Sequence, residues 1–434
     1  MAMDDLAHQL AHVALGPVPR GEAMDVMRLS LLDWSAVGLA GTQEPVAKIL
    51  RRQAIEEGGA AQASLIGCTQ KVPARMAALV NGATSHALDY DDTHFAHIGH
   101  PSVAVIPAAL AAGEWADATG RAVQEAALVG VEAAVRVGVW LGRGHYQIGF
   151  HQTGTAGAFG ATLAAARVLQ LDAAQTAHAI GLAATRAGGL KAQFGTMGKP
   201  MNAGIAAANG VEAAMLAAKG FLSAPGAIDA AQGFGPTHHG DGDMTAFDGF
   251  GTEWLFPKVR HKFHACCHGL HAALDALAGA QKSAQDVAKI DIATHPRWMN
   301  VCNIAAPETG LEAKFSYRLV AALALLGHDT ARLDTFRDAL CSDTAATAVR
   351  DKVDVTADDS LSEMQARVVL TSVSGSKEEL FHDLEADPGL TARRARIHAK
   401  AKALLGASHT QKLWALIDAD APPREFAAAL IHKA

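Results

Sequence analysis

The sequence predicts a mainly α-helical protein with a large all-helical domain and a smaller α+β domain. The chain has 434 residues, half of them apolar, and one hydrophobic core rarely grows beyond about 250 to 300 residues. Apolar residues recur at helical spacing as far as residue 258, and strand-like alternation appears only after that point. We therefore expect two cores of different class.

The helical part is rich in alanine and glycine. The stretch "MDVMRLSLLDWSAVGLAG" repeats apolar residues three and four positions apart and ends on Gly38 and Gly41, which is typical of a helix and its termination. The many alanines and glycines of this helix and of the later ones predict a closely packed helical bundle. Residues 223–257 are rich in glycine and aspartate and predict a long loop with one helical turn. The other predicted helices cover residues 103–118, 122–141, 155–169, 172–184 and 201–219.

The α+β part rests on three predicted strands. "VAKIDIATHP" and "QARVVLTSVSG" alternate apolar and polar residues, and "DKVDVTAD" does so more weakly. A helix, "LEAKFSYRLVAALALLG", lies between the first strand and the other two, and the chain is helical again from "TARRARIHAKAKALLG" onward. We therefore place a helical domain at 1–258, to which 396–434 returns, and an α+β domain at 259–395.

Composition argues against two classes of partner and indicates a compartment. The net charge is −7, the isoelectric point is near 6.3 and no basic run occurs, so we expect no nucleic-acid binding. No uninterrupted apolar stretch of about 18 residues occurs, so we expect no membrane span. Five cysteines without a CxxC pair indicate reduced thiols. The start "MAMDDLAHQL" is acidic where a targeting peptide would be basic, and together these features predict a cytoplasmic protein.

The segment "HALDYDDTHFAHIGHPS", residues 86–102, concentrates four histidines and three aspartates. Three interpretations stay open from the residues alone. His94, His97 and His100, spaced H-x2-H-x2-H beside the aspartates, offer metal ligands, although this spacing matches no regular metal motif. The same groups would serve acid-base catalysis, or they form a hydrated turn whose aspartates cap neighbouring amides.

Proton-active or cationic residues precede several predicted helices. His100, His151 and Lys199 each stand in a short stretch just before one, and Cys267 with His271 opens another. Helix starts present unpaired N–H groups and a partial positive charge, so loops that meet there would bind a substrate with more than one carboxylate. The structural alternatives are a satisfied histidine for His151 and a solvated side chain for Lys199.

Two other patterns carry weaker signals. "GTAGAFG" has glycines at every third position, but no strand precedes it, so close helix packing is favoured over a dinucleotide site. The neighbours Cys266 and Cys267 lack a partner pair, so zinc is not expected there. Tyr146 and Asp241 are polar residues in predicted loops.

Several of these stretches, taken together, resemble the MmgE/PrpD family, which includes 2-methylcitrate dehydratases, cis-aconitate decarboxylases and iminodisuccinate epimerases. The matching motifs run in order over most of residues 10–330. They are "NGATSHALDYDDTH" with "GHPSVAVIPAALA", "FHQTGTAGAFGATLAAARVL", "GTMGKPMNAGIAAANGVEAAMLAAKGFLSAPGAID", "HKFHACCHGLHAALDAL" and "PETGLEAKFSYRLVAALAL". The resemblance implies a large helical domain made from both termini, a smaller α+β lid, a homodimer, and activity without a metal or organic cofactor.

The resemblance also implies site residues, position by position. The family pattern falls on Asp89, His100, His151 and Lys199 as catalytic groups and on Thr93 as a substrate contact. Lys199 and His100 would hold the carboxylates of a di- or tricarboxylic acid. His151 would be the general base or acid, and Asp89 would orient a histidine or serve as a second proton-transfer group.

The motif "KFHACCHGLH" departs from one branch of the family. Cys267 stands where the decarboxylase branch has a histidine, and His271 lies one helical turn further on. With Tyr146 and Lys262, these complete the predicted substrate-binding residues. The departure argues against cis-aconitate-type decarboxylation, so we expect a dehydratase of the 2-methylcitrate type, with epimerisation of an iminodisuccinate-like substrate and decarboxylation as alternatives. A metal-binding or non-catalytic helical binding protein is the alternative from a different class.

Overall fold

The computed structural model describes residues 6–18 and 20–431, so the first five residues of the acidic start lie outside the described part. The chain divides into two compact units, Met1–His261 with Leu405–Ala434, and Lys262–Leu404. The divisions fall at 261/262 and 404/405, where the sequence suggested 258/259 and 395/396. The second one lies later because one continuous helix, Gly389–Leu405, runs through residue 396.

Helices dominate the first unit and are shorter in the second. In chain order they are α1 (Leu6–Leu15), α2 (Glu22–Gly41), α3 (Pro45–Glu57), α4 (Ala74–His86), α5 (Ser102–Ala116), α6 (Gly120–Ile148), α7 (Gln152–Val168), α8 (Ala173–Ala184), α9 (Gly198–Ala218), α10 (Phe234–Thr237), α11 (His271–Leu277), α12 (Pro296–Met299), α13 (Gly310–Ala313), α14 (Tyr317–Leu325), α15 (Asp338–Cys341), α16 (Thr344–Arg350), α17 (Gly389–Leu405), α18 (Ala407–Asp418) and α19 (Pro423–Ala429).

The centre of the first unit is a bundle of α4, α5, α6, α7 and α9. The helices approach closely because glycines face one another: a Cβ on Gly160 of α7 would collide with the carbonyl oxygen of Gly130 on α6, and one on Gly157 would lie 2.8 Å from Ala104 Cβ on α5. "GTAGAFG" is therefore a helix-packing motif, as predicted. The C-terminal helices α18 and α19 return to this unit and pack on α2 and α5.

The segment 223–257 contains more than the one predicted turn. It holds α10 and short 3-10 turns at Pro225–Ala227, Met244–Phe247 and, at its end, Phe256–Lys258. The buried Arg136 guanidinium of α6 donates hydrogen bonds to three of its backbone carbonyls, those of residues 246, 248 and 253. The guanidinium supplies these loop carbonyls with the hydrogen-bond donors that regular secondary structure would otherwise provide.

The second unit is built on a four-stranded sheet. Its strands β3 (Val287–Thr294), β4 (Val353–Ala357), β5 (Gln365–Ser372) and β6 (Lys377–Asp383) lie in the order β4-β3-β5-β6, with β4 parallel to β3 and the other pairs antiparallel. A separate two-stranded pair, β1 (Ala63–Ser64) and β2 (Lys71–Val72), belongs to the first unit.

Three strands of this sheet match the predicted segments, and β6 was missed. No residue of β6 is fully buried, so this edge strand lacks the apolar alternation that marks a strand in a sequence. The helix predicted over "LEAKFSYRLVAALALLG" is divided into α13 and α14, because Ser316 Oγ accepts the Leu319 N–H and begins a new helix. In the part of the chain that is described, no helix has the length and apolarity to cross a bilayer.

Candidate active site

The first unit gathers two histidines around one buried carboxylate at the end of α4. His86 Nδ1 lies 2.9 and 3.0 Å from the two oxygens of Asp91, and His100 Nδ1 lies 2.8 Å from Asp91 Oδ2. Burial by itself would raise the pKa of Asp91, but the charges and hydrogen bonds of the two histidines outweigh it and hold this pKa well below its usual value. Asp91 is therefore an anion that fixes both imidazoles.

Lys199 and Asp89 form an ion pair beside this group. Lys199 Nζ lies 2.8 Å from Asp89 Oδ2, while the other carboxylate oxygen of Asp89 lies 3.4 Å from His100 Nε2. The Asp89 side chain is 51% exposed, so a ligand can reach the pair. Lys199 was expected to precede a helix; it instead lies in the first turn of α9, which begins at Gly198, and the Gly198 N–H donates to Thr196 Oγ1 at 3.0 Å.

His151 closes the other side of the cluster as the residue before α7. Its ring stacks on that of His86 at 5.9 Å, and Phe194 meets it edge-on at 4.9 Å. Asn202 Nδ2 lies 3.1 Å from His151 Nδ1. Burial, followed by the nearby charges of His86 and Lys199, holds the pKa of His151 well below its usual value, so this imidazole is neutral near pH 7.

The starts of α5, α7 and α9 meet at this cluster, as the sequence analysis anticipated. The His100 N–H donates to Thr153 Oγ1 at 2.9 Å, which joins the starts of α5 and α7. The contact between Asn202 and His151 joins the starts of α7 and α9. Three helix starts and an ammonium group therefore meet at one cluster, a setting that favours a polyanionic ligand.

The metal triad considered from the sequence is wrong. His94 Nε2 hydrogen-bonds the Leu255 carbonyl at 2.9 Å, and His97 lies buried against Gly138 of α6. Burial lowers the pKa of His94 to about 4 and that of His97 to about 3. Both are neutral core histidines, and the H-x2-H-x2-H spacing does not collect ligands.

A different set of donors does come together. The ligand atoms of His86, Asp89, Asp91 and His100 lie within 4.8 Å of one another, and this mixture of nitrogen and oxygen donors suits zinc or another divalent transition metal. Asp89 is already paired with Lys199, and Asp91 already holds both imidazoles. A cation here would compete with these contacts.

Comparison with known proteins decides the family. The N-terminal domain of MmgE/PrpD proteins matches residues 4–246, and their C-terminal domain matches residues 264–420. The chain belongs to the MmgE/PrpD family.

The family relatives that it resembles are named as decarboxylases. A cis-aconitate decarboxylase-like protein of Aspergillus oryzae is 30% identical over 60% of this chain and 58% of its own length. The cis-aconitate decarboxylase of Aspergillus terreus is 28% identical over 64% of this chain and 59% of its own length, and that of Mus musculus is 27% identical over 73% and 66%. The chain thus spans about three fifths of the length of the first two of these relatives.

Two predicted substrate contacts of this MmgE/PrpD protein lie in the first unit. The Thr93 N–H donates to the carbonyl of Arg260, the Arg260 N–H donates back to Thr93, and Thr93 Oγ1 lies 3.4 Å from the same carbonyl. Tyr146 was expected in a loop but lies near the end of α6, where Lys191 Nζ sits 3.9 Å from its ring centroid. Substrate contact by either residue stays a prediction.

The remaining three, Lys262, Cys267 and His271, belong to the second unit. His271 is buried, its Nε2 lies 3.3 Å from the Cys266 carbonyl, and its ring stacks on His268 at 4.9 Å. Burial, followed by His268, holds the pKa of His271 well below its usual value. The helix that begins at His271 ends at Leu277. Substrate binding by Lys262, Cys267 and His271 stays a prediction.

Sequence reasoning missed three members of the cluster: His86, Asp91 and Asn202. His86 and Asp91 were noticed only as part of a rich segment, yet their separation places one at the end of α4 and the other in the turn that folds back on it. Asn202 follows Lys199 by three positions in α9 and so shares its helix face. That spacing was the available signal.

Proposed function

We propose that this chain is a lyase that moves a proton at the carbon next to a carboxylate of a small di- or tricarboxylic acid. The observation that carries the proposal is the cluster of two proton-active imidazoles, His100 and His151, with Lys199 at the meeting point of three helix starts. Membership of the MmgE/PrpD family and the names of its enzymatic relatives support the same reaction class.

The geometry addresses the main difficulty of this chemistry, which is the weak acidity of a proton next to a carboxylate. Negative charge that develops on the carboxylate oxygens needs preplaced positive charge and N–H donors. Lys199 and the starts of α5, α7 and α9 supply them. The Asp91 anion orients His100 for proton transfer, a contribution that is typically worth about 100- to 10,000-fold in rate.

Dehydration of a 2-methylcitrate-like substrate is the reaction we favour. If abstraction of the proton is followed by loss of the β-hydroxyl, the products are the unsaturated acid and water. Cys267, in place of the decarboxylase histidine, supports this choice over decarboxylation. Decarboxylation of a cis-aconitate-like acid is the second candidate, favoured by the names of the relatives.

One experiment separates these reactions. The protein is incubated in D2O with 2-methylcitrate, citrate, cis-aconitate, tartrate and iminodisuccinate, and proton NMR follows each. Dehydration gives an olefinic CH signal from citrate and, from 2-methylcitrate, a methyl group on a double bond in place of the methyl doublet. Decarboxylation consumes cis-aconitate and gives a product with one carboxylate fewer, and epimerisation gives exchange with stereoinversion. Absence of exchange and turnover with every acid would overturn the proposal.

Two variants tie the activity to the cluster. We expect His151→Gln to lower kcat by about 100- to 10,000-fold, and Lys199→Ala to lower kcat/KM by about 10- to 150-fold, as expected for a lost charge-assisted hydrogen bond. Lys219→Ala, at the opposite end of α9, is the matched control and should be unchanged. Normal turnover by either site variant would remove that residue from the chemistry.

The other proposals have their own measurements. If the donors around Asp91 hold a metal, the purified protein carries it stoichiometrically and a chelator abolishes activity; we expect exchange to survive chelation. We propose a homodimer, which light scattering of the purified protein tests. We also propose a cytoplasmic location, which fractionation of the source cells tests.

A further inference from the structure

Asn202 bonds to His151 on the side of the ring that faces α9. Its amide nitrogen lies 3.1 Å from His151 Nδ1 and 3.4 Å from the carbonyl oxygen of Leu190. Asn202 is 6% exposed, and glycines 154 and 189 pack against it. The amide therefore has a fixed position between these two partners.

The Leu190 carbonyl decides which way the amide is turned. An amide oxygen at this place would face the lone pairs of that carbonyl, whereas an amide NH2 gives it one hydrogen. The second hydrogen of the same NH2 then points at His151 Nδ1. Because that nitrogen accepts a hydrogen bond, it carries no proton, and the neutral ring has its proton on Nε2.

The surroundings oppose a second proton on His151. A donor already occupies Nδ1, the ring is buried, and the Lys199 ammonium beside it disfavours a further positive charge. Nε2 has no hydrogen-bond partner within residues 6–18 and 20–431. That edge of the ring is left for a ligand.

We propose that Asn202 is a positioning residue that holds His151 as the neutral, Nε2-protonated tautomer, so that His151 donates a hydrogen bond to the substrate and does not abstract its proton. This inference rests on the proposed function and narrows it. The Nε2–H group stabilises the oxygen on which negative charge develops, as a neutral imidazole can. The proton of the substrate is then transferred by His100, which Asp91 orients.

The tautomer can be read directly by 15N NMR of histidine-labelled protein without substrate. The His151 signals are identified by their absence in His151→Gln. We expect a protonated Nε2 and an unprotonated Nδ1 near pH 7. In Asn202→Asp the carboxylate accepts a hydrogen bond from Nδ1–H, so the two signals should exchange character. A wild-type His151 that is protonated at Nδ1, or an unchanged tautomer in the variant, would overturn the inference.

Kinetics supply the second readout. Asn202→Asp should lower kcat by about 100- to 1,000-fold, the usual cost of losing one oxyanion donor, with a smaller change in KM. Asn209→Asp is the matched control: Asn209 is also a buried asparagine of α9, but it bonds to Arg186, and both tautomer and kcat should stay as in the wild type. Wild-type kcat in Asn202→Asp contradicts the inference. Absence of turnover in the wild type contradicts the proposed function instead, since the NMR measurement needs no substrate.

Discussion

The carboxyl group of Asp92 is buried beside Asp91 of the candidate active site. It accepts hydrogen bonds from Ser102 Oγ at 2.5 Å and from Ser30 Oγ at 3.2 Å, and Ser30 Oγ in turn contacts His261 Nε2 at 2.9 Å. Burial, together with the charges of Asp33 and Asp91, raises the pKa of Asp92 from 3.8 to about 7, although Ser102 opposes the rise. The perturbation that tests this is Asp92→Asn, which keeps the shape and removes the ionisation.

The sign and size of the effect follow from the two pKa values. Between 3.8 and about 7 the folded state keeps a proton on Asp92 that the unfolded state releases, so the free energy of unfolding falls as the pH rises through this window. The pKa difference corresponds to about 4 kcal/mol in full. Roughly 3 kcal/mol of it develops between pH 5 and pH 8. Asp92→Asn cannot ionise at this position, so its free energy of unfolding does not decrease for this reason.

Urea unfolding of the wild type and of Asp92→Asn at pH 5 and pH 8 measures this loss of stability. We expect the stability of Asp92→Asn relative to the wild type to increase by roughly 3 kcal/mol between the two pH values. Asp243→Asn is the control, because hydrogen bonds from Thr245 hold the pKa of this exposed carboxyl below 3.8, so its relative stability should be the same at both. A relative stability of Asp92→Asn that stays constant or decreases would refute the assigned burial of a protonated carboxyl.

Three further predictions concern packing and the cluster. Gly204→Ala should lower stability by about 1 to 3 kcal/mol, because its Cβ would collide with a backbone carbonyl of α4, and it should also lower kcat, measured well below the melting temperature. Arg136→Met should cost about 3 to 5 kcal/mol in urea unfolding, since it leaves the buried Glu132 carboxylate without its cation. Asp91→Asn should lower kcat by about 100-fold or more, since His100 loses the anion that orients it.

Each of these has a clear contrary result. Gly210→Ala, which meets α7 further along α9, should destabilise comparably and leave kcat unchanged; an equal loss of kcat in both would show that packing near the cluster has no special role. Wild-type stability in Arg136→Met would mean that the ion pair with Glu132 is dispensable. Wild-type kcat in Asp91→Asn would mean that His100 needs no orienting anion.

Local patterns predicted most of the elements but only part of the candidate site. Helical periodicity and strand alternation located the bundle and β3, β4 and β5, because these elements bury one face or both. They failed for β6, whose side chains are nowhere fully buried. They also failed for the start of α9, since its N-cap residue, Met197, makes no side-chain capping bond and the Lys-Pro pair suggested a later start.

For the cluster, residue types were a better guide than spacing. The family resemblance brought Asp89, His100, His151 and Lys199 forward, and the structure places these four together. Regular histidine spacing suggested His94 and His97 as ligands, but the chain reverses within that loop, where residues 94 and 99 form a β-bridge. Spacing along a sequence predicts a common face only while the chain stays regular.

The small residues of the bundle and the chemistry of the cluster depend on one another. Helices separated by ordinary side chains lie about 8 to 10 Å apart, and a hydrogen bond between groups on two helix starts then requires long side chains. Here Gly82 of α4 and Gly204 of α9 are so close that a Cβ on Gly82 would lie 3.0 Å from the Gly204 Cα. Each lies about one turn from the cluster residue of its own helix, His86 or Lys199. At the start of α7 a Cβ on Gly154 would likewise lie 3.4 Å from Asn202 Cβ on α9. The short amide of Asn202 therefore reaches the His151 imidazole directly, and rigid backbone sets their donor and acceptor roles.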